Sequence, residues 1–357
     1  DAEESRGVGG IFPTATGFKN SQSQWFGGND AHIYVAIRRP HKPPEAATEV
    51  FNPILVDTPR TAAQRPEKVD MYWFGKTGGW GENIQVSDRL RGFQNTNYAG
   101  DDSHTSPWLK TAGTGIEAAS GGAIAQENNA SVGPLVVGVS AGSNFINYIF
   151  KRAPGFFDVV AYTGTGSNTT VNHNLEATPE LMIIKRRNSG DHWAVYSSAI
   201  GTATHLELNK SDEQKSSSNL FNNTNPTASV FSLSTNSQVN GSTDTYITYL
   251  FATLPGISKV GSYTGTGNDI NVNCGFTSGA RFVLIKLTSG DGNWYLYDSV
   301  RGIGSGDDPF LKLNSTAAQT TNSDYIDIDA SSTGFKINSG STFLNISGGS
   351  YIFLAIA

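Results

Sequence analysis

The chain has 357 residues, which is more than one typical domain needs, and its net charge of −6 provides no basic surface for nucleic acid. Only 16% of the residues are charged and glycine occurs 40 times, which disfavours long charged helices and favours short strands joined by turns. No apolar run reaches the ~20 residues of a membrane helix, and a lone cysteine, Cys274, excludes an intrachain disulfide.

The first segment, residues 1–42, repeats the end of the chain. Thr16-Gly17-Phe18-Lys19 matches Thr333-Gly334-Phe335-Lys336, and Ile33-Tyr34-Val35-Ala36-Ile37 matches Ile352-Phe353-Leu354-Ala355-Ile356. Because such self-similarity marks a repeat architecture, we predict that this segment holds the closing strands of a preceding repeat. The chain begins without an initiator Met or a signal segment, so we expect a fragment or processed product of a longer protein.

Residues 43–155 are predicted to form a degenerate repeat. Met71 to Lys76 lies 210 residues before Arg281 to Lys286. The segment Asp88-Arg89-Leu90-Arg91-Gly92 lies 210 residues before Asp298-Ser299-Val300-Arg301-Gly302. The self-similarity of the chain therefore extends through this region as well.

Residues 156–255 and 256–357 are predicted to be two closely matched repeats. Tyr162-Thr163-Gly164-Thr165-Gly166 recurs 101 residues later as Tyr263-Thr264-Gly265-Thr266-Gly267. The same offset aligns an apolar run ending in lysine and the tryptophan that follows it. Pro-Gly pairs separate the copies, and because proline fixes φ we expect stiff links and a fairly rigid rod of domains.

The last repeat shows the strand pattern most clearly. Phe282 to Lys286 is a continuous apolar run, Thr288 to Gly292 has the composition of a hairpin turn, and Trp294 to Asp298 is strand-like. Tyr325 to Asp329 alternates apolar and acidic side chains, as in a strand with one solvated face. With roughly seven or eight short strands per repeat, the sequence predicts an all-β fold of tandem antiparallel β-sandwich repeats, jelly-roll-like in outline.

No catalytic constellation emerges from the sequence. The six histidines show no i, i+4 metal pairing. Gly138-Val139-Ser140-Ala141-Gly142 has the form of a nucleophile elbow, but the residues after it align with the closing strand of the other repeats and not with a helix. The Tyr-Thr-Gly-Thr-Gly motif lacks the Gly-Lys-Ser/Thr of a phosphate loop and is predicted to be a tight turn that enters the first strand. The sequence therefore favours a protein that is not an enzyme.

An acidic pair is the candidate metal site. Asp307 and Asp308 are adjacent, and Asp101-Asp102 lies at the matching place in the degenerate repeat. Carboxylate oxygens in loops are ligands for Ca²⁺, but the twelve-residue loop pattern is missing and adjacent acids on a turn are usually solvated. We therefore expect no cofactor, with Ca²⁺ at Asp307 and Asp308 as the alternative.

Aromatic residues around the repeated hairpin are the candidate ligand-binding residues. Trp and Tyr rings offer apolar faces on which carbohydrate rings stack. Because side chains alternate along a strand, one set must face the core while the other is free to face solvent. Packing in the core or between domains is the alternative role, and the one that the pattern favours. The residues are Trp193, Tyr196, Trp294, Tyr295 and Tyr297.

The order of motifs along each repeat resembles a known family. It runs from Tyr-Thr-Gly-Thr-Gly through an apolar strand ending in Lys to Trp-x-x-Tyr-Asp-Ser-x-Arg-Gly, as in Trp294 to Gly302, and closes with Tyr-Ile-x-x-Ala-Ile. This order resembles a repeated domain of unknown function found in large tail and virion-associated proteins of marine bacteriophages, including those of cyanobacteria. No catalytic residue carries over from that family.

The resemblance implies a virion structural protein in a tail fibre, spike or appendage that takes part in host attachment. It implies a homo-oligomer, with other virion proteins and a host-surface glycan as partners, and with neither nucleic acid nor a membrane span. Two alternatives stay open. One is a bacterial extracellular adhesin or filament subunit; the other is a glycan depolymerase, which needs two carboxylates about 5 to 9.5 Å apart.

Overall fold

The structure, a computed structural model, describes residues 42–56, 69–77, 83–91, 107–118, 145–216, 219–304, 306–321 and 327–357, with the strands at 11–13, 18–20, 124–126 and 135–137. Within these ranges the chain is nearly all β, with one 3-10 turn, Ala47–Glu49, and one short helix, α1, Ser237–Asn240. The strands form several antiparallel sheets, which confirms the predicted all-β class.

Some predicted features lie outside the described residues. These are the strand at 33–37, the acidic pair at 101–102 and the elbow-like segment at 138–142. Near the start of the chain, β1 (Ile11–Pro13) pairs with β2 (Phe18–Asn20) and places Phe18 opposite Pro13.

The first large sheet is formed by the degenerate repeat. Its strand order is β3-β9-β4-β5-β6. The bounds are β3 Phe51–Val56, β4 Met71–Lys76, β5 Gln85–Asp88, β6 Leu109–Lys110 and β9 Phe145–Phe150. A separate pair joins β7 (Ile124–Gln126) to β8 (Leu135–Val137).

The second large sheet repeats this order as β10-β17-β12-β13-β14, with β15 added at one edge. The bounds are β10 Phe157–Thr163, β12 Leu181–Arg186, β13 Ala194–Ser197, β14 Thr204–Glu207, β15 Lys215–Ser216 and β17 Thr245–Phe251. A small sheet pairs β11 (Thr169–Asn172) with β16 (Val230–Leu233).

The third large sheet has the order β18-β25-β20-β21-β22. The bounds are β18 Ser258–Thr264, β20 Phe282–Leu287, β21 Trp294–Asp298, β22 Leu311–Lys312 and β25 Ser350–Ile356. Its small sheet has the order β19-β24-β23, formed by β19 Ile270–Asn273, β23 Ile328–Ser331 and β24 Gly334–Ile337. We call residues 51–150, 157–251 and 258–356 the first, second and third repeats.

The strand register corrects one predicted alignment. Gly75 lies opposite Ile146 in the first repeat, and Lys286 lies opposite Ile352 in the third. Gly75, and not Lys76, is therefore the counterpart of Lys286. The constant offset of 210 fails within this strand because the β4–β5 hairpin is one residue longer than the β20–β21 hairpin.

Each large sheet has apolar side chains on both of its faces. Neighbouring residues of a strand face opposite sides of the sheet. In β17, Ile247, Tyr249 and Phe251 face one hydrophobic cluster, while Tyr246 and Leu250 face another. The second of these clusters is completed by residues of the small sheet, such as Phe231 and Leu233. The large and small sheets thus enclose a core between them, as in a sandwich.

The other face of each large sheet enters a core shared by all three repeats. Phe150 of the first repeat lies with ring centroids 5.7 Å from Phe157, 5.8 Å from Phe251 and 6.0 Å from Phe282. One contiguous cluster of buried residues contains members of every large sheet. The predicted rod is therefore wrong for the described residues, because the repeats pack side by side around one interior.

The Pro-Gly links are turns and not straight spacers. Gly155 and Gly256 have φ of 73° and 74°, in the left-handed region that favours glycine. Isolated bridges join Ala153 to Phe157 and Leu254 to Ser258 across these turns. Each closing strand is thus followed at once by the first strand of the next repeat, which brings consecutive sheets side by side. Among the described residues, no helix is long and apolar enough to cross a bilayer.

Candidate functional site: the interfaces between repeats

A buried triad joins the second repeat to the first. The Tyr249 hydroxyl, from the closing strand β17, donates to Asp88 Oδ2 at 2.8 Å and accepts from Arg91 Nη2 at 3.0 Å. Arg91 also forms an ion pair with Asp88, and both side chains are fully enclosed. Burial raises the pKa of Tyr249 well above its ordinary value, so the hydroxyl keeps its proton and acts as a donor to the carboxylate.

The same triad recurs between the first and third repeats. The Tyr148 hydroxyl, from β9, donates to Asp298 Oδ2 at 2.8 Å and accepts from Arg301 Nη2 at 2.9 Å. Arg301 forms an ion pair with Asp298. Burial lowers the pKa of Arg301, but the Tyr148 oxygen and the Asp298 carboxylate more than offset this, so the net pKa is raised and the guanidinium stays charged.

The interface between the second and third repeats has uncharged residues at all three positions of the triad. Leu354 stands in the closing strand where the other repeats have tyrosine, and Ser197 and Ile200 stand where they have aspartate and arginine. A small apolar cavity lies there, lined by residues that include Leu181, Ser197 and Leu354. Donor and acceptor were lost together, which leaves no unpaired charge.

Buried lysines join neighbouring repeats in two of the three interfaces. Lys185 Nζ donates to Thr114 O of the first repeat at 3.2 Å, and Lys286 Nζ donates to Ser211 O of the second at 2.9 Å. Burial lowers the pKa of each lysine to about 8. The counterpart in the first repeat is Gly75, where an added Cβ would lie only 3.1 Å from Leu311 Cδ1 of the third repeat, so the two repeats approach closely where the other interfaces have a lysine.

The two predicted tryptophans are interface residues. Trp193 Nε1 donates to Lys110 O at 3.0 Å, and Trp294 Nε1 donates to Glu207 O at 3.1 Å. Each indole therefore satisfies a backbone carbonyl of the preceding repeat while its ring fills the shared core.

The three predicted tyrosines also lie in the interior. Tyr196 packs edge-on against Phe221, and Tyr295 and Tyr297 both contact Phe310. All five predicted aromatic residues are at most 3% exposed, so none of them presents a ring face to a glycan. The sequence could not choose between the two faces of the strand because here both faces are buried.

The two aspartates of the predicted calcium site have different environments. Asp307 is exposed, whereas Asp308 is buried and both of its carboxylate oxygens accept from Gly304 N, at 2.9 and 3.1 Å. The backbone N–H of Asp308 donates to Asp327 Oδ1 at 3.0 Å. Burial raises the pKa of Asp308 to about 7, and nearby carboxylates, Asp327 first, add to the rise. Among the described residues, no group of three or more potential ligands is placed to hold a metal ion.

The Tyr-Thr-Gly-Thr-Gly motif is a turn held by a buried asparagine. Asn240 Oδ1 accepts from Thr165 N, and Asn345 Oδ1 accepts from Thr266 N, both at 2.8 Å. A Cβ on Gly265 would lie 2.2 Å from a backbone oxygen, which explains the glycine. The motif's tyrosine and first threonine end β10 and β18, so the glycine-rich part follows the first strand of its repeat and does not enter it as predicted.

Sequence reasoning missed the triads and the two asparagines. The signal was present: the Asp-x-x-Arg spacing occurs in the first and third repeats and is absent from the second. One position of the closing strand is Tyr148 in the first repeat, Tyr249 in the second and Leu354 in the third. The Asp-x-x-Arg pair and the tyrosine are missing from different repeats. If they made their contact within one repeat, they would be missing from the same one, so the pattern indicates a contact between repeats.

These contacts define a class of architecture: three β-sandwich repeats of one chain, closed into a ring by head-to-tail interfaces around a single core. The chain matches the family model described as a domain of unknown function, DUF7483, over residues 70–357, and it belongs to that family. The match spans parts of all three large sheets in one stretch. A search of curated proteins found no match.

Proposed function

We propose that the chain is a non-enzymatic structural protein of a virion, built into a tail fibre, spike or other appendage. The observation that carries the proposal is the ring of three interfaces closed around one core. A close-packed interior has low compressibility and transmits force through all of its parts. Three repeats that share such an interior act as one rigid block, which is what a mechanically stressed part of a particle requires.

Two further features support a structural role. The triads, the buried lysines and the tryptophans are enclosed at the interfaces and make contacts between repeats. The order of repeated motifs supplies the virion part of the proposal through its resemblance to phage tail proteins. The proposal includes no glycan site, because the five aromatic residues offered for it are buried.

Immunogold electron microscopy tests the proposal. Antibodies raised against the purified chain are applied to particles and to uninfected cells from the same culture, and antibody pre-adsorbed with the chain serves as the control. Gold on a particle appendage is the expected result. Gold on the surface of uninfected cells would contradict the virion assignment and favour an adhesin or filament subunit.

A second measurement tests the non-enzymatic part. The purified chain is incubated with cell-surface polysaccharide, and newly formed reducing ends are assayed against heat-inactivated chain. We expect no increase over the control. Release of reducing ends would establish a depolymerase.

A further inference from the structure

The interface between the first and third repeats, which we call the seam, is where the ring closes without a peptide link. Besides the Tyr148–Asp298–Arg301 triad, Arg281 Nη2 donates to Phe51 O at 2.8 Å across it. The Thr111 hydroxyl donates to Leu313 O at 2.6 Å. Within the described ranges, each hydrogen bond found across the seam involves a side chain.

The seam uses the same chemistry as the covalently linked interface between the first and second repeats. In both, a tyrosine hydroxyl of a closing strand lies between the carboxylate and the guanidinium of an Asp-x-x-Arg turn. The interfaces are head-to-tail: one surface of each repeat contacts a different surface of the next. Such surfaces fit any copy of the partner repeat, whether it belongs to the same chain or to another.

We propose that the seam is exchangeable between two copies of this chain. In the exchanged dimer, the first repeat of each copy packs against the third repeat of the other and forms both triads anew. Each ring keeps the contacts between repeats that the monomer has, and only contacts within an extended turn are lost. The 151–156 and 252–257 turns, each with a Pro-Gly pair, are the segments that would extend to let a repeat cross over.

A second copy is the partner that these surfaces fit. The Phe282 ring on the third-repeat side contacts Phe51 at 5.2 Å, Tyr148 at 5.5 Å and Trp73 at 6.2 Å. The buried charges of Asp298 and Arg301 also need the tyrosine hydroxyl opposite them. Another first repeat supplies all of these groups in register. Because opening the seam exposes this apolar surface, we expect exchange during folding and not between folded monomers.

Co-refolding of two isotope-labelled samples tests the exchange with the unmodified chain. Unlabelled and ¹⁵N-labelled protein are mixed in denaturant, refolded at low and at high concentration, and examined by native mass spectrometry. Short flexible links give effective concentrations in the millimolar range, so we expect monomer at micromolar protein and mixed-isotope dimer at about 1 mM. The dimer should persist for hours after dilution. Monomer alone at both concentrations, or a dimer that dissociates within minutes, would overturn the proposal.

Complementary lesions locate the exchange at the seam. Tyr148→Asp damages one side and Arg301→Glu damages the other, so neither chain closes a sound ring alone. A heterodimer of the two contains one unaltered seam, and we expect co-refolding to give it in excess over either homodimer. The matched control co-refolds Tyr148→Asp with Tyr148→Glu, a pair in which no unaltered seam is formed. Equal yields of heterodimer in both mixtures would place the contact elsewhere.

Discussion

At the scale of single residues, the stability of the ring depends on charges held away from water. Asp88, Arg91 and Asp298 are completely enclosed, and Arg301 nearly so. A buried ion pair costs desolvation energy, so its presence alone adds little; the loss of one partner is the severe event, because the other charge is then left unpaired.

Removing the cation of the seam triad alone should therefore be worse than neutralising both of its charges together. Arg301→Met leaves the Asp298 carboxylate buried without its cation and should lower the free energy of unfolding by about 3–5 kcal/mol. The double variant Arg301→Met with Asp298→Asn leaves no buried charge and keeps an amide oxygen that accepts from the backbone N–H groups of Val300 and residue 301, so it should lose less. Urea denaturation measures both.

Lys336→Met is the matched control for this prediction. Lys336 pairs with Asp269 at 2.7 Å on the surface, where a charge pair contributes little, so its loss should leave the urea midpoint close to that of the wild type. If Arg301→Met were as mild as this control, the seam charges would have to be solvated.

A pH effect follows from the buried carboxyl of Asp308. Its pKa is raised from 3.8 to about 7, so the folded state retains a proton that the unfolded state releases. Stability contributed by this group is complete below pH 4 and declines as the pH rises towards 7. Asp308→Asn, which cannot ionise, should gain stability relative to the wild type between pH 5 and pH 8, by at most about 4 kcal/mol.

Urea unfolding of the wild type and Asp308→Asn at several pH values in this range measures the difference. The groups that face Asp308 are the carboxyls of Asp327, Asp329 and Asp307, and their mutual repulsion acts in the same direction. Asp307→Asn is the control because Asp307 is exposed. A stability difference that does not change with pH would mean that Asp308 titrates normally in the folded chain.

At the scale of elements, the sequence predicted the strands well and their packing poorly. The apolar run at β20 and the aromatic strand β21 were recognisable because strands have their own residue preferences and are bounded by turn residues. The repeat period located the equivalent strands in the other copies. Element identity is a local property, which is why a single sequence reveals it.

The packing of the sheets was not predictable in the same way. A strand with apolar residues on both faces is compatible with a separate sandwich or with a core shared by several repeats. The turn at Gly155 decides between them, and a Pro-Gly pair by itself does not disclose whether glycine adopts a positive φ. The rod was predicted from Pro-Gly links that in fact turn the chain back, so that consecutive sheets lie side by side.

The buried asparagines that hold the glycine-rich motif, Asn240 and Asn345, give a prediction at this scale. Asn345 Nδ2 donates to Asn268 O at 2.7 Å while its Oδ1 accepts from Thr266 N. Asn345 itself is buried, but Thr266 and Asn268 are exposed and water reaches part of the freed backbone groups, so Asn345→Ala should cost roughly 1–3 kcal/mol. Thermal unfolding followed by circular dichroism measures the loss, with the exposed Asn271→Ala as control. Equal melting temperatures for the two variants would show that the Asn345 hydrogen bonds do not stabilise the motif.

At the scale of the whole molecule, the shared core predicts that the three repeats unfold cooperatively. Each repeat has one face in the common interior, so removing one repeat exposes apolar surface on the other two. Separate domains on a rod would unfold independently, whereas repeats that share a core should unfold together.

Differential scanning calorimetry distinguishes these cases. We expect one transition whose calorimetric enthalpy equals its van 't Hoff enthalpy, because the cooperative unit is the ring. Tyr148→Phe, a lesion in the first repeat alone, should move the entire transition to lower temperature and not split it. Tyr295→Phe is the matched control, since its hydroxyl lies within the third repeat, 3.3 Å from Asn293 Nδ2. Resolved transitions, with only one of them shifted by Tyr148→Phe, would mean that the repeats fold separately and that the ring is an assembly of independent domains.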